Sequence, residues 1–195
     1  VKADGTIENF KYNAKDPHSL SSNFVRACCE DNLGNIWIGT FNGLNRYNKI
    51  TGLFQNHTAN DTQADGLTHS SIWCIVKDNQ GTLWLGTYFG GVNYFNPEYE
   101  IYTRYSYSSN EKKGLSNPVV GRTIEDRDGN LWIGTEGGGL NYYNRRTREF
   151  KWYRPQEGRN SISHNNVKAL YYDADKEIIW IGTHLGGLNK LDIRS

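Results

Sequence analysis

The sequence predicts an all-β protein built from four similar units. A segment that begins at Trp132 and reads WIGTEGGGLNYY has related copies beginning at Trp37, Trp84 and Trp180, so that the tryptophans are 47, 48 and 48 residues apart. The composition includes 13 Tyr, 6 Trp and 21 Gly beside only 4 Pro, which is typical of aromatic strands separated by glycine turns. No window has helical periodicity. A fixed period of this length indicates stacked units that bury their surfaces against one another.

Each unit begins with an apolar strand. Its apolar side chains occupy both faces, as in a strand that is covered on both sides. The first three copies end in an Asp-x-x-Gly turn, with Gly where a positive φ is needed, which predicts a tight hairpin. The fourth turn, 173–177, has one extra residue and no Gly, so we expect a looser turn there. The four strands are VRACCED (25–31), IWCIVKD (72–78), VGRTIED (120–126) and VKALYYD (167–173).

Three further strands complete each unit. The second strand reads IWIGT or LWLGT, the third contains the GLNxY segment, and the fourth carries an aromatic residue such as Phe54. The Trp is expected to bury roughly 200 Å² against the neighbouring unit, with its ring nitrogen donating to the adjacent turn. The Gly two residues later allows close packing. These structural repeat positions are Trp37, Gly39, Trp84, Gly86, Trp132, Gly134, Trp180 and Gly182.

Four-stranded units repeated around an axis form a β-propeller, and this is the predicted fold. Phe10 matches the aromatic residue of a fourth strand, so we expect the N-terminal strand to complete the last blade and remove an open sheet edge. Closure into one ring of four blades is favoured by these complementary ends, and a ring of eight blades from two copies is the alternative. The single segment, 1–195, is divided into blades at 22–57, 70–105 and 118–153 and a split blade made of 166–192 and the outer strand 5–12.

Charge and hydropathy exclude several classes of protein. The 22 basic and 21 acidic residues give a net charge of +1, which argues against a basic face for nucleic acid. No apolar run approaches the roughly 20 residues that span a bilayer, so this segment is expected to make no direct membrane contact. The first residues lack a signal pattern. The absence of Met predicts a processed or excised segment of a longer protein.

The three cysteines, Cys28, Cys29 and Cys74, all lie in the first strands of repeats. An odd number with two neighbours gives neither a disulfide framework nor the spacing of a metal site. We therefore expect buried free thiols. The sequence predicts no metal and no cofactor.

The W-I-G-T-x-x-G-L-N-x-Y unit with its preceding D-x-x-G-N turn resembles the two-component regulator propeller repeat, over about residues 22–192. That repeat occurs in periplasmic sensor regions of hybrid two-component regulators, particularly in polysaccharide-degrading gut and soil bacteria. The resemblance implies seven-bladed rings, often two in tandem, followed by a β-domain, a membrane span and a kinase. This chain departs from that pattern by carrying four units and no output module. The implied partners are the remaining blades or a second copy of the chain, and an oligosaccharide ligand.

The resemblance implies a non-catalytic periplasmic sensor propeller that contributes to oligosaccharide sensing or to receptor assembly. Any histidine kinase would then lie elsewhere in the full-length protein. Two alternatives stay open, because a fold alone decides no function. One is a scaffold that binds only protein. The other is a propeller lyase similar to those that act on streptogramins, which use His and Glu from the loop face.

Comparison of the four copies separates scaffold from candidate ligand positions. Residues that are the same in every copy are interpreted as structure, whereas residues that vary on the loop face can contact a ligand. Trp73 and Tyr88 can stack on a sugar, and polar side chains there can bind hydroxyls or a carboxylate. At the position of Trp73 the other copies have Arg26, Gly121 and Lys168. The candidate ligand residues are His69, Trp73, Tyr88, Arg122, Glu136, His164 and His184, and no catalytic set is predicted.

Overall fold

The computed structural model of this chain describes residues 5–59, 66–98 and 101–194, and it confirms the all-β fold. Within these ranges one 3-10 turn, Glu111–Lys113, interrupts the strands, and no helix is long and apolar enough to cross a membrane. In chain order the strands are β1 (Val25–Glu30), β2 (Ile36–Thr40), β3 (Gly43–Tyr47), β4 (Phe54–His57), β5 (Ile72–Lys77), β6 (Leu83–Thr87), β7 (Val92–Asn96), β8 (Ile101–Tyr105), β9 (Val120–Glu125), β10 (Leu131–Thr135), β11 (Leu140–Asn144), β12 (Glu149–Tyr153), β13 (Val167–Asp173), β14 (Ile178–Thr183) and β15 (Gly187–Asp192).

The strands form antiparallel sheets that follow the order of the chain. Strands β1–β4, β5–β8 and β9–β12 make three four-stranded sheets, and β13–β15 make a three-stranded sheet. The first strands of consecutive sheets contact each other, β1 with β5, β5 with β9 and β9 with β13. The sheets are therefore blades of a propeller, with the first strand of each blade on the inside.

The repeated tryptophan is tied to the repeated turn. In the first three blades the indole Nε1 donates to a carboxylate oxygen six residues earlier, at 2.7 Å from Trp37 to Asp31, 2.8 Å from Trp84 to Asp78 and 3.0 Å from Trp132 to Asp126. The fourth turn differs, as its sequence predicts. There the Asp173 carboxylate accepts the backbone N–H of Lys176 at 3.2 Å, and Glu177 adopts a φ of 53°.

Each of these tryptophans packs against the next blade. Trp37 is fully buried, and its ring centroid lies 5.1 Å from that of Phe95 in the second blade. The glycine of the same strand is needed for this approach, because a Cβ on Gly39 would lie 2.7 Å from the Ile72 side chain. The gaps between blades are filled by an apolar residue that precedes each first strand. These residues, Leu20, Leu67, Leu115 and Ile162, are all buried.

Among the described residues the fourth sheet has three strands, and the N-terminal segment is not hydrogen-bonded to it. Completion of the last blade by residues 5–12 therefore stays a prediction. Phe10 instead packs on Tyr47 and Phe54 of the first blade, with ring centroids 5.1 and 5.4 Å apart, and Tyr12 forms a parallel bridge with Leu20. The first blade follows this segment directly in the sequence, and the packing of Phe10 on its aromatic rings holds residues 5–12 against the first blade.

The segment nevertheless occupies the position of an outer strand. The bridge from Tyr12 to Leu20 has the same spacing as the bridge from Tyr107 to Leu115 between the second and third blades. Two residues before Tyr107, Tyr105 contacts Tyr143 and Phe150 of the third blade, as Phe10 contacts its two partners in the first. Phe10 therefore corresponds to Tyr105, three residues away from the predicted register. It lies where the fourth strand of a preceding blade would lie.

Two blade faces remain uncovered. Val25 on the first blade is 51% exposed, whereas Ile72, Val120 and Val167 at the same position are fully buried. Leu188 on the fourth blade is 68% exposed, although its equivalents in the other blades are fully buried. The prediction of buried free thiols is confirmed for Cys74, whereas Cys29 is half-buried and the prediction is wrong for Cys28. Cys28 is exposed because it lies on the uncovered face of β1.

The buried carboxylate of Asp78 generates a stability prediction. It accepts the indole N–H of Trp84, and its Oδ2 lies 2.9 Å from Nη2 of Arg145 in the third blade. Asp78→Ala leaves the indole N–H of Trp84 without an acceptor and leaves Arg145 with only the Glu125 carboxylate, 3.5 Å away. We therefore expect the free energy of unfolding to fall by roughly 3–5 kcal/mol, as when one member of a buried ion pair is removed. Urea titration followed by tryptophan fluorescence measures this.

The control for this prediction is Asp175→Ala, which changes an exposed turn residue of the fourth blade. It should change stability by about 0.5 kcal/mol or less. A loss for Asp78→Ala as small as that of the control would contradict the assignment.

The first turn generates a pH prediction. Burial raises the pKa of Asp31, but hydrogen bonds from Asn35, Trp37 and two backbone N–H groups outweigh burial and lower that pKa below its usual value. A carboxyl whose pKa is lowered by folding stabilises the protein above its unfolded pKa, and this stabilisation is lost as the pH falls through the folded pKa. The stability difference between wild type and Asp31→Asn should therefore be largest above about pH 4 and shrink below it. Chemical unfolding at several pH values tests this, and a difference independent of pH would refute it.

Candidate functional site

Every blade has a β-bulge near the start of its first strand. In the first blade Val25 pairs with Thr40 and Ala27 with Gly39, so Arg26 is left without a partner in the ladder. The same two-against-one register occurs in the other three blades. A bulge bends the strand and changes the direction of a side chain. The four bulged residues are Arg26, Trp73, Gly121 and Lys168.

The bulges bring these four positions to one cavity. The cavity has a volume of about 270 Å³ and lies at the N-terminal ends of the inner strands. Residues from all four blades line it, so no blade could form it alone. The lining residues are Arg26, Trp73, Gly121, Arg122, Glu136, Val167 and Lys168.

The aromatic ring of Trp73 lines one part of the cavity. Trp73 and Tyr88 are stacked, with ring centroids 5.2 Å apart and planes 8° from parallel. The guanidinium carbon of Arg26 lies 4.5 Å from the centroid of the Trp73 ring, which is the geometry of a cation–π interaction. The Nε1 atom of Trp73 is buried and has no acceptor among the described residues. Trp73 therefore holds Arg26 in place and retains one unused donor.

The rest of the lining includes charged side chains. The Lys168 ammonium forms an ion pair with the Glu136 carboxylate. The Arg122 guanidinium donates to the carbonyl of Gly121 at 3.1 Å, and no carboxylate partner is found for it in the described ranges. Three cations and one anion thus surround the cavity, although the chain as a whole is nearly neutral.

Two of the candidate histidines have a structural role. Nδ1 of His69 accepts the backbone N–H of Ser71 at 3.0 Å, and Nδ1 of His164 accepts that of Asn166 at 3.0 Å. Ser22 and Asn117, at the same position in the other blades, accept an N–H two residues later in the same way. The position varies in sequence because hydroxyl, amide and imidazole acceptors can all close this turn.

The structure brings together only part of the predicted set. Trp73, Arg122 and Glu136 line the cavity, and Tyr88 supports Trp73 from behind it. The other predicted residues, His69, His164 and His184, do not line it. The exposed ring of His184 lies 6.4 Å from that of His164 on a neighbouring loop.

Two charged lining residues were missed as site residues. Arg26 and Lys168 share the bulge position with Trp73, and this shared position is the sequence signal that could have found them. The predicted stacking of Trp73 on a sugar competes with the contacts of its ring with Arg26 and Tyr88. For metals, the described part of the chain contains no group of three His, Cys, Asp or Glu side chains that could hold an ion.

Comparison with known sequences identifies the repeat. The sequence model described as "two component regulator propeller" matches residues 19–42, 66–89, 114–137 and 161–184. Each match begins one residue before the gap-filling Leu or Ile and ends just after the tryptophan strand. The chain thus contains four repeats of the two-component regulator propeller family. No curated protein matches it.

Solved structures support the fold. The extracellular domain of a protein described as a hybrid two-component system from Bacteroides thetaiotaomicron aligns with a TM-score of 0.54 at 22% identity, over 94% of this chain and 28% of that one. A structural genomics protein of unknown function from the same species gives 0.60 at 14% identity, over 85% and 46%. Virginiamycin B lyase from Staphylococcus aureus gives 0.53 at 13% identity, over 88% and 56%. At such low identity the likeness is one of fold, and this chain spans only part of each structure.

Proposed function

We propose that the chain is an extracytoplasmic, periplasmic propeller of a two-component signalling protein and that it binds a saccharide at the bulge cavity. The single observation behind this proposal is the convergence of one bulged residue from each of four blades on one cavity. The family of the repeat supports the signalling context. The similar domain from B. thetaiotaomicron, which is described as extracellular, supports the location.

The cavity suits a small polar ligand. Its volume of about 270 Å³ is near the lower end of ligand pockets, which begin at about 300 Å³ and hold few precisely placed polar groups. Its lining carries guanidinium, ammonium and carboxylate groups, which can hydrogen-bond the many oxygen atoms of a saccharide. A ligand here touches several blades at once, so binding can alter how the blades pack.

We infer that this segment binds its ligand without chemical reaction. A lyase would need a general base, and Glu136 is already paired with Lys168. His69 and His164 each use Nδ1 to close a turn. This arrangement supports binding over catalysis, in spite of the fold that the chain shares with virginiamycin B lyase.

A thermal-shift screen tests ligand binding. At about a hundredfold excess over Kd a ligand stabilises the folded state by about 2.7 kcal/mol. For a chain of this size the melting temperature should then rise by roughly 5–10 °C with one class of oligosaccharide. Trp73→Ala should abolish the rise, whereas Tyr107→Ala, an exposed aromatic residue on the connection between the second and third blades, should retain it. If no oligosaccharide raises the melting temperature, the proposal is wrong.

A second proposal concerns assembly. Where two blades of this chain meet, the face that corresponds to Leu188 in one blade packs on the face that corresponds to Val25 in the next. The uncovered faces of Leu188 and Val25 are therefore the two complementary halves of that contact. We propose that each face packs on a blade of the same repeat, and that a second copy of this chain supplies that blade. Residues 5–12 of one copy lie at the position of an outer strand and could pair with β15 of the other. Two copies would then form an eight-bladed ring without open faces.

Sedimentation at several concentrations tests the assembly. We expect a dimer whose fraction rises with concentration. Leu188→Glu places a charge in the contact and should shift the protein to the monomer, because a buried unpaired charge is costly. Ile50→Glu changes an equally apolar residue on an exposed turn, 95% accessible, and should leave the dimer intact. A wild-type chain that stays monomeric at every concentration would rule this assembly out.

A further inference from the structure

We propose that the bulge cavity selects ligands by negative charge, and that its saccharide carries a carboxylate or sulfate group. This inference rests on the proposed function, because it specifies the chemical class of ligand for the same site. It follows from the charges, the contacts and the positions of three cationic side chains.

The cations come from three different blades. Arg26 belongs to the first blade, Arg122 to the third and Lys168 to the fourth, and all three line one cavity of about 270 Å³. Glu136 is the one acidic residue among the lining residues. Since the net charge of the whole chain is only +1, an excess of two positive charges around so small a volume is a local feature of this site. Such a concentration of one sign raises the local concentration of anions.

The single acidic side chain is already used. Glu136 pairs with Lys168, which leaves the guanidinium groups of Arg26 and Arg122 without a carboxylate partner in the described part of the chain. Guanidinium groups bind carboxylate and sulfate oxygens through paired N–H donors. The uncompensated charge of the cavity therefore lies on the groups that recognise these anions best.

Arg26 is held in position before any ligand arrives. Its guanidinium lies over Trp73, and Trp73 is stacked on Tyr88, so two aromatic rings support one cation. A flexible arginine loses side-chain entropy when it binds a ligand, and a stacked arginine has lost part of it already. The aromatic pair that the sequence suggested as a sugar platform thus serves to position a charge.

A neutral sugar fits this site less well. It would displace water from two guanidinium groups and offer only hydroxyls in return, and a charge that is desolvated without a counter-charge is costly. An anionic group compensates for that loss directly.

The test uses matched pairs of ligands. Uronate-containing and sulfated oligosaccharides are each paired with the neutral form made by carboxyl reduction or desulfation, and binding to the intact chain is measured by calorimetry at low and high ionic strength. We expect at least one acidic oligosaccharide to bind at least roughly tenfold more tightly than its neutral form, and its affinity to fall as salt rises. The uronate and sulfate arms show which anion the site prefers.

Variants locate the effect. Arg122→Gln and Arg26→Gln should each weaken binding of the acidic ligand by roughly tenfold or more and leave the melting temperature of the free protein nearly unchanged, since both side chains are exposed. The matched control is Arg146→Gln, which removes an exposed arginine that follows β11, at the end of the sheet away from the cavity. It should leave affinity unchanged.

The outcomes separate this inference from the proposal on which it depends. If neutral and acidic forms bind equally well, the charge selection is wrong and saccharide binding stands. If acidic ligands bind but Arg146→Gln weakens them as much as Arg122→Gln, the attraction is to the surface in general and the site is wrong. If no saccharide of either kind binds, both proposals fail together.

Discussion

The burial of one indole between adjacent blades is the interaction on which the rest of this structure depends. Covering roughly 200 Å² of apolar surface contributes on the order of 5 kcal/mol, whereas a hydrogen bond to a charged acceptor contributes about 1.5–3 kcal/mol. Packing therefore supplies most of the stabilisation. The hydrogen bond to the turn carboxylate decides where the ring lies, and it satisfies a polar N–H that would otherwise be buried without a partner.

The same indole contact explains why each blade lies beside the next one in the sequence. Trp37 packs on the second blade and Trp84 on the third, and a glycine two residues along each strand lets the neighbouring blade come close. Among the described residues no further blade packs on Trp180, and Trp180 is only partly buried. Val25 and Leu188 are exposed for the same reason, because among the described residues no neighbouring blade covers either of them.

The cavity makes use of a regular backbone with variable side chains. The bulge recurs in every blade, and it turns one residue of each inner strand towards a common space. Since the bulged residue pairs with nothing in the ladder, it can be Arg, Trp, Gly or Lys without loss of the sheet. A repeat protein can in this way keep its scaffold constant and change what it binds.

Periodicity in the sequence was sufficient for the blades, the tryptophan strands and the Asp-x-x-Gly turns, because these features depend on contacts that repeat at a fixed spacing. Three cavity residues, Trp73, Arg122 and Glu136, could also be chosen from the sequence as variable positions on the loop face. His69 and His164 could not be told apart from ligand residues, since a turn accepts Ser, Asn or His at that position. Only the tertiary structure decided that residues 5–12 lie on the first blade, that Cys28 is exposed and that Arg26 rests on Trp73. These features depend on which surfaces meet across blades, and the local pattern of a repeat is the same whether its neighbour is present or not.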